Sequence, residues 1–146
     1  MLKNIFVSKV RVRVLQQYMF HPNEGFHVRG LVRLLNEEIN AIRRELLNLK
    51  DAGILIPHKD GNKLVYKLNP ECTIINDLQA MFYKDSEAGK SIIKASKRNG
   101  KAEAILMSQG FLDGVKNPSG NLDLLFIGEY RVTDLSRSLK EAESIL

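Results

Sequence analysis

The sequence predicts an α+β protein in two parts, a basic helical part that ends in a β-hairpin and a smaller α/β unit after it. Three observations lead there. Apolar residues repeat at helical spacing in three segments before Gly53, and "ILIPHKDGNKLVYKL" then places two β-prone runs around an Asp-Gly. Beyond Gly100 two apolar runs, "AEAILM" and "LDLLFI", flank a loop rich in Gly, Pro and Ser.

The elements follow in order. Ser8 is a candidate N-cap for a helix from about Lys9 to Phe20, with Val10, Val14, Leu15, Tyr18 and Met19 on one stripe. "HPNEG" stops it, and Phe26-His27 reads as a short extended piece. A second helix runs from Val28 to about Leu35 with Leu31, Leu34 and Leu35 turned inward, and "NEE" is the turn. The third helix, Ile39 to about Ala52, has Ile42, Leu46 and Leu49 on its inner stripe, and Gly53 stands where a left-handed residue ends a helix. Its other face carries Asn40, Arg43, Arg44, Leu47 and Asn48. The hairpin that follows is expected to turn through Lys59-Asp60-Gly61-Asn62, with Pro57 suited to an edge strand. Three helices and then a hairpin describe a winged helix-turn-helix.

Further on, a helix from about Ile74 to Lys84 (Ile74, Ile75, Leu78, Met81, Phe82) leads into another from about Ser86 to Lys97. The run Ala102 to Met107 reads as a buried strand, Leu122 to Ile127 as a second, buried and central, and Thr133 as the cap of a helix from Asp134 to Ile145. The division expected is 1–70 for the winged helix-turn-helix, 71–100 for helices that link and are candidates for dimerisation, and 101–146 for the α/β unit.

Composition sets the class. With 146 residues, 44% of them hydrophobic and 27% charged, the chain has material for one ordinary domain or two small ones. Lys3, Lys9, Arg11 and Arg13 interrupt the apolar residues of "MLKNIFVSKVRVRVL", so neither a signal-peptide centre nor a membrane span is expected, and the expected location is cytoplasmic. A lone cysteine, Cys72, excludes an intrachain disulfide and a multi-cysteine metal cluster, and reads as a packing residue. The net charge of +5 is uneven: residues 1–70 hold 12 Lys/Arg against 6 Asp/Glu, and the remainder 10 against 11. The first part is therefore the one suited to a polyanion.

A helix that enters the major groove needs side chains that reach base edges and others that hold phosphates. Arg43, Arg44, Asn40 and Asn48 supply both kinds, since Arg grips guanine and Asn adenine in bidentate fashion. Lys59, Asn62 and Lys63 flank the hairpin tip, where a wing touches backbone or minor groove, and Asp60 is there as a turn former. Arg29 and Arg33 are candidate phosphate clamps, with His27 before them. The competing reading is a solvated surface helix in which Arg44 pairs with Glu37, Glu38 or Glu45. Because one module makes few phosphate contacts, a homodimer on two half-sites of double-stranded DNA is expected.

Residues 8 to 70, most tellingly "AIRRELLNLKDAGIL" followed by "DGNKLVYKLN", resemble the winged-helix domain of ArsR-like transcriptional regulators. Metal sensors of that type use cysteine pairs or His/Asp clusters, and one Cys with three scattered histidines (His21, His27, His58) does not match them.

The whole chain is also similar to regulators of this kind that carry a minimal nucleotidyltransferase domain. "SQGFLDGVKNPSGNLDLLFIG" follows that family's pattern, with Phe111, Gly114, Pro118 and "LDLLFIG" in matching places. The family holds the triphosphate with Gly-Ser and binds magnesium with Asp-x-Asp and a third acid. Here Gln109-Gly110 falls where Gly-Ser belongs, Asn121 takes the first Asp position, Asp123 keeps the second, and the chain ends before a third. The resemblance therefore implies a truncated, degenerate nucleotidyltransferase-like remnant without catalytic residues or cofactor. Dimerisation, docking to a protein, or sensing of a nucleotide is its expected use. The alternatives are an active magnesium-dependent nucleotidyltransferase and a winged helix that binds protein.

Overall fold

In the computed structural model, which describes residues 1–108 and 123–143, the Ser8 hydroxyl accepts a hydrogen bond from the Arg11 amide at 3.1 Å. It thereby starts the helix that the sequence places there. The described residues form two units, Met1–Gln79 and Ala80–Leu146.

In the first unit a single turn, α1 (Leu2–Ile5), precedes α2 (Lys9–Phe20), α3 (Val28–Leu35), α4 (Ile39–Asp51), β1 (Leu55–Asp60) and β2 (Lys63–Leu68). The sequence reading had no counterpart to α1, although its Leu2 is buried. Asn36, with φ of 49°, ends α3 in the left-handed region, which Asn tolerates better than most residues because its short amide bonds locally. Three residues later α4 begins, and Gly53 follows it with φ of 72°, as its position predicts. Inside lie Leu15, Tyr18, Met19, Leu31, Ile42, Leu46 and Leu55, all fully buried. Leu34 is not with them. The sequence reading turned it inward, but it is 56% exposed, because α3 is short and only Leu31 and Leu35 reach the core.

Tyr18 organises the centre. Its ring meets Phe26 edge to face at 5.2 Å, and its hydroxyl donates to the Tyr66 carbonyl at 3.2 Å. Burial pushes the Tyr18 hydroxyl well above its ordinary range, followed in effect by the nearby Tyr66, so it remains a neutral donor. Phe26 and Tyr66 exchange both backbone hydrogen bonds at 2.9 Å, an isolated bridge that lays the short extended piece beside β2. Since Tyr66 spends its amide and carbonyl on Phe26, its partner on the other side, Pro57, needs no donor of its own. Pro57 lies on the edge strand, as expected. The hairpin loop is shorter than expected. Lys59 and Asp60 pair with Leu64 and Lys63, which leaves Gly61-Asn62 as the turn, with Gly61 at φ of 55°.

The helix α5 (Ile75–Asp85) begins in the first unit, where buried Gln79 donates to the Met19 carbonyl at 3.1 Å. Its apolar stripe is uneven, for Phe82 is buried while Ile74 stands outside the helix and exposed.

The second unit adds α6 (Glu87–Asn99), β3 (Gly100–Met107), β4 (Leu124–Tyr130) and α7 (Val132–Glu143). Helix α6 packs on α7 and on β3, with Ile92, Ala95, Ser96 and Leu135 buried. Two strands need such a helix, since an isolated hairpin is marginal in water. Here two expectations are corrected. β3 and β4 pair antiparallel with each other, and neither is a buried strand. Leu106 faces Leu125, Ala104 faces Ile127, and the three large residues are at least 40% exposed, because alternation gives each strand one inner face only. Apolar runs had suggested two covered faces. Thr133 is also not a cap. The helix starts one residue before it, and the carbonyl of Arg131 receives the amides of Asp134 and Leu135. Residues 144 and 145 of the expected helix lie outside the described residues.

Candidate nucleic-acid interface

The face of α4 opposite the core is built by spacing. Asn40, Arg43, Arg44, Leu47 and Asn48 stand at i, i+3, i+4, i+7 and i+8, and all are exposed, whereas Ile42, Leu46 and Leu49 are buried on the other side. At 1.5 Å per residue the helix is about 20 Å long, a length that fits lengthwise in a major groove about 12 Å wide.

The acids that competed for Arg44 are engaged elsewhere. Glu38 sits at the N-cap of α4, where one carboxylate oxygen accepts from the amides of Asn40 at 2.9 Å and Ala41 at 3.0 Å. Glu37 is paired with Arg13 of α2. Glu45 lies on the inner stripe, 6% exposed, and accepts from Ser8 Oγ at 2.6 Å and from Arg11 Nε at 2.8 Å. Burial alone raises its pKa, but hydrogen bonds from Ser8, Arg11 and Asn48, with the charge of Arg11, outweigh that and hold it below the ordinary carboxylate range. The reading in which Arg44 pairs with one of these acids is thus corrected. Among the described residues neither Arg43 nor Arg44 has a carboxylate within ion-pair distance.

Sequence reasoning missed Glu45, although a signal was present: an acid stood on the same stripe as Ile42 and Leu49. It also gave Arg11 and Arg13 no partners, although both are paired. Arg11 and Arg13 fasten α2 to the helix-turn-helix, and Arg29, Arg33, Arg43, Arg44, Lys59 and Lys63 are left exposed and without an ion pair among the described residues. Asn48 is less free than expected, since its side-chain amide leans on Glu45 at 3.4 Å, a long contact.

His27 is the N-cap of α3, its Nδ1 accepting from the Gly30 amide at 2.7 Å. Gly30 allows this, because a Cβ there would stand 3.0 Å from the imidazole. With Nδ1 accepting, the ring presents Nε2–H as a donor. From α3 and the wing, Arg29 and Lys63 line one crevice together with His27, Val28, Arg43 and Leu64. Arg33, Lys59 and Asn62 are exposed outside it. The remaining histidines are apart: His21 lies 3.7 Å from Glu24, and His58 is exposed on β1.

At the second candidate site, Gln109, Gly110, Phe111, Gly114, Pro118 and Asn121 lie outside the described residues. Asp123 is described. Its carbonyl accepts from the Ser108 amide at 2.9 Å and its carboxylate from the Ser108 hydroxyl at 3.3 Å, so it joins the ends of β3 and β4. Among the described residues no three His, Cys, Asp or Glu side chains gather as a metal site would require, and Cys72 is a half-buried free thiol. No helix among them is long and apolar enough to cross a membrane.

No protein-family model matches the chain, and no curated protein does. Among solved structures it is similar to the reduced form of HlyU from Vibrio cholerae, at 20% identity and a TM-score of 0.41, over 56% of this chain and 77% of that one.

Proposed function

We propose that the chain is a sequence-specific DNA-binding transcriptional regulator that acts as a homodimer on two half-sites of duplex DNA. Helix α4 enters the major groove, where Arg44 and Asn40 read base edges and Arg43 and Asn48 lie beside them. Lys59, Asn62 and Lys63 bring the wing to the neighbouring backbone, and Arg29 and Arg33 hold phosphates. One observation carries this reading: six exposed cations surround α4 without ion pairs among the described residues, while the acids of the helix-turn-helix are drawn into caps and bridges. Desolvating such cations against phosphates releases counterions, the main source of affinity for duplex DNA.

The division proposed keeps 1–70 as the DNA-binding part, 71–100 as the candidate dimerisation helices and 101–146 as a nucleotidyltransferase-like remnant used for dimerisation, docking or ligand sensing. The bond between Asp123 and Ser108 supports a structural role for the surviving acid of that motif.

The test is a titration of labelled duplex at several salt concentrations, followed by selection from a random pool. Affinity should fall steeply with salt, and the selected site should be a pseudo-palindrome with half-sites about 10 bp apart or a multiple of that. Replacing Arg44 by Ala should cost ~1–3 kcal/mol of discrimination at one base pair. Binding that ignores ionic strength would instead point to a protein partner for the winged helix. Magnesium-dependent nucleotide labelling of a substrate, lost in Asp123→Ala, would establish the enzyme reading.

A further inference from the structure

The crevice shared by α3, α4 and the wing has a volume of about 280 Å³ and is lined by His27, Val28, Arg29, Arg43, Lys63 and Leu64. Three of the six are cations, drawn from three separate elements, and none has an ion pair among the described residues. No acid lines it. Val28 and Arg29 in its lining are the first residues of α3, where the amides have no carbonyl one turn earlier to bond and the aligned peptide dipoles favour negative charge. His27, held by the Gly30 amide through Nδ1, adds the Nε2–H donor.

We infer that this crevice is a seat for one phosphate group of the DNA backbone, gripped at once by Arg43 from α4 and Lys63 from the wing. The inference rests on the DNA-binding reading and changes the role of one residue within it. Arg43 and Arg44 are neighbours on α4 but point to different partners. Arg43 lines the crevice, whose cationic lining suits an oxyanion, and Arg44 does not. Arg43 is therefore a backbone clamp that sets the depth and register of α4, and base reading falls to Arg44 and Asn40. Because Lys63 belongs to β2, the same phosphate ties the wing to the reading helix. A shape selective for anions, not for sequence, is what such a clamp needs.

The experiment uses the full chain, a labelled random-sequence duplex and the selected duplex, with Arg43→Ala, Lys63→Ala, the double variant and Arg44→Ala compared over a range of salt. All these side chains are exposed, and a thermal melt confirms that each variant is folded. If the seat is shared, each of Arg43→Ala and Lys63→Ala weakens both duplexes alike, by roughly tenfold, and lowers the salt slope by about 1. The double variant then loses far less than the product of the two, because both removed groups served one phosphate. Losses that multiply, with slopes that add, mean separate phosphates and overturn the seat while the DNA reading stands. An Arg43→Ala loss confined to one base pair makes Arg43 a base reader and also overturns it. Adenosine 5′-monophosphate serves as the soluble probe: tight binding that needs Arg43, with duplex slopes unaltered in the variants, would move the seat from DNA to a free phosphate ester. Absence of any salt-dependent duplex binding by the wild type defeats the DNA reading itself.

Discussion

Arg11 and Glu45 lie 34 residues apart in sequence and 2.8 Å apart in space, an ion pair between the first turn of α2 and the middle of α4. The Ser8 hydroxyl donates to the same carboxylate at 2.6 Å while accepting from the Arg11 amide as the cap of α2. One serine thus closes a helix end and anchors the proposed reading helix from behind. The orientation of α4 depends on these bonds as well as on its apolar stripe, and its outer arginines have no ion pair among the described residues, the inner acid being satisfied from α2.

Glu45→Gln tests this anchor. The amide keeps the size of the side chain but loses its charge, leaving Arg11 with a weaker acceptor; a destabilisation of about 1–2 kcal/mol at pH 7 is expected, less than the full worth of a hydrogen bond to a charged group because a neutral acceptor remains. The pH dependence has a definite sign. Glu45 has a lowered pKa in the folded chain, so its contribution is complete above the unfolded value of about 4.3 and is lost as pH falls through the lower folded value. Urea denaturation between pH 7 and pH 2.5 should therefore show the difference between wild type and Glu45→Gln shrinking below about pH 4. A constant difference across that range would mean that charge has no part in the anchor.

Much of the first unit was legible because short-range signals agree there. Ser8 as a cap, Asn36 and Gly53 at helix ends, and Pro57 on an edge are each decided by local geometry, and the structure places each as its chemistry requires. The failures share a different cause. Whether Leu34 or Leu125 is covered depends on how many layers lie over an element, and an apolar run does not encode that number. In the same way the exposed face of α4 followed from helical spacing, but its free charge did not, since the partners of Glu37 and Glu45 come from α2, which is distant in sequence. Glu38 spent its carboxylate on the backbone, an unusual cap for which neither Ser, Thr nor Asp gave a signal.

Asn36 joins α3 to α4 in a left-handed conformation, φ 49°, at an exposed position. Replacing it by Val forces a β-branched side chain against the next carbonyl, at a cost of roughly 1–2 kcal/mol. Asn36→Gly fits the same backbone freely and should stay within about 0.5 kcal/mol of the wild type, the unfolded chain's extra freedom offsetting the relief. Thermal melts of the two variants decide this. Equal losses would show that the amide side chain matters more than the backbone angle.

Gly89 is the close approach of the second unit. A Cβ built there would lie 1.9 Å from the Tyr83 carbonyl oxygen, a backbone atom that cannot swing aside. Ser86 fixes the same corner, its hydroxyl donating to the Tyr83 carbonyl at 2.6 Å and accepting from the Gly89 amide at 3.0 Å. Gly89→Ala should therefore separate α5 from α6 and cost about 1–3 kcal/mol, despite the better helix propensity of Ala. Denaturant titration gives the value. A gain in stability would mean that the corner opens without penalty, and that Gly is there for no steric reason.

Asp60 is the acid nearest the proposed DNA-facing tip of the wing. It lies directly across the hairpin from Lys63, where side chains of opposed residues stand about 4.5–5.5 Å apart at Cβ, yet the two form no ion pair among the described residues. Its charge opposes a polyanion and weakens the field of Lys63, while the turn itself needs only Gly61 at positive φ. Asp60→Asn keeps the side chain's shape and removes the repulsion, so duplex affinity should rise by roughly 2–5-fold near 50 mM salt, and the gain should fade as the Debye length contracts below about 10 Å above 0.1 M. Folding stability should move by less than about 0.5 kcal/mol, since the position is exposed. Fluorescence anisotropy at both salt concentrations reads the effect. A fall in affinity instead would give Asp60 a direct contact, with a cytosine amino group the acceptor-seeking partner a carboxylate best serves, and would bring the wing tip into a groove.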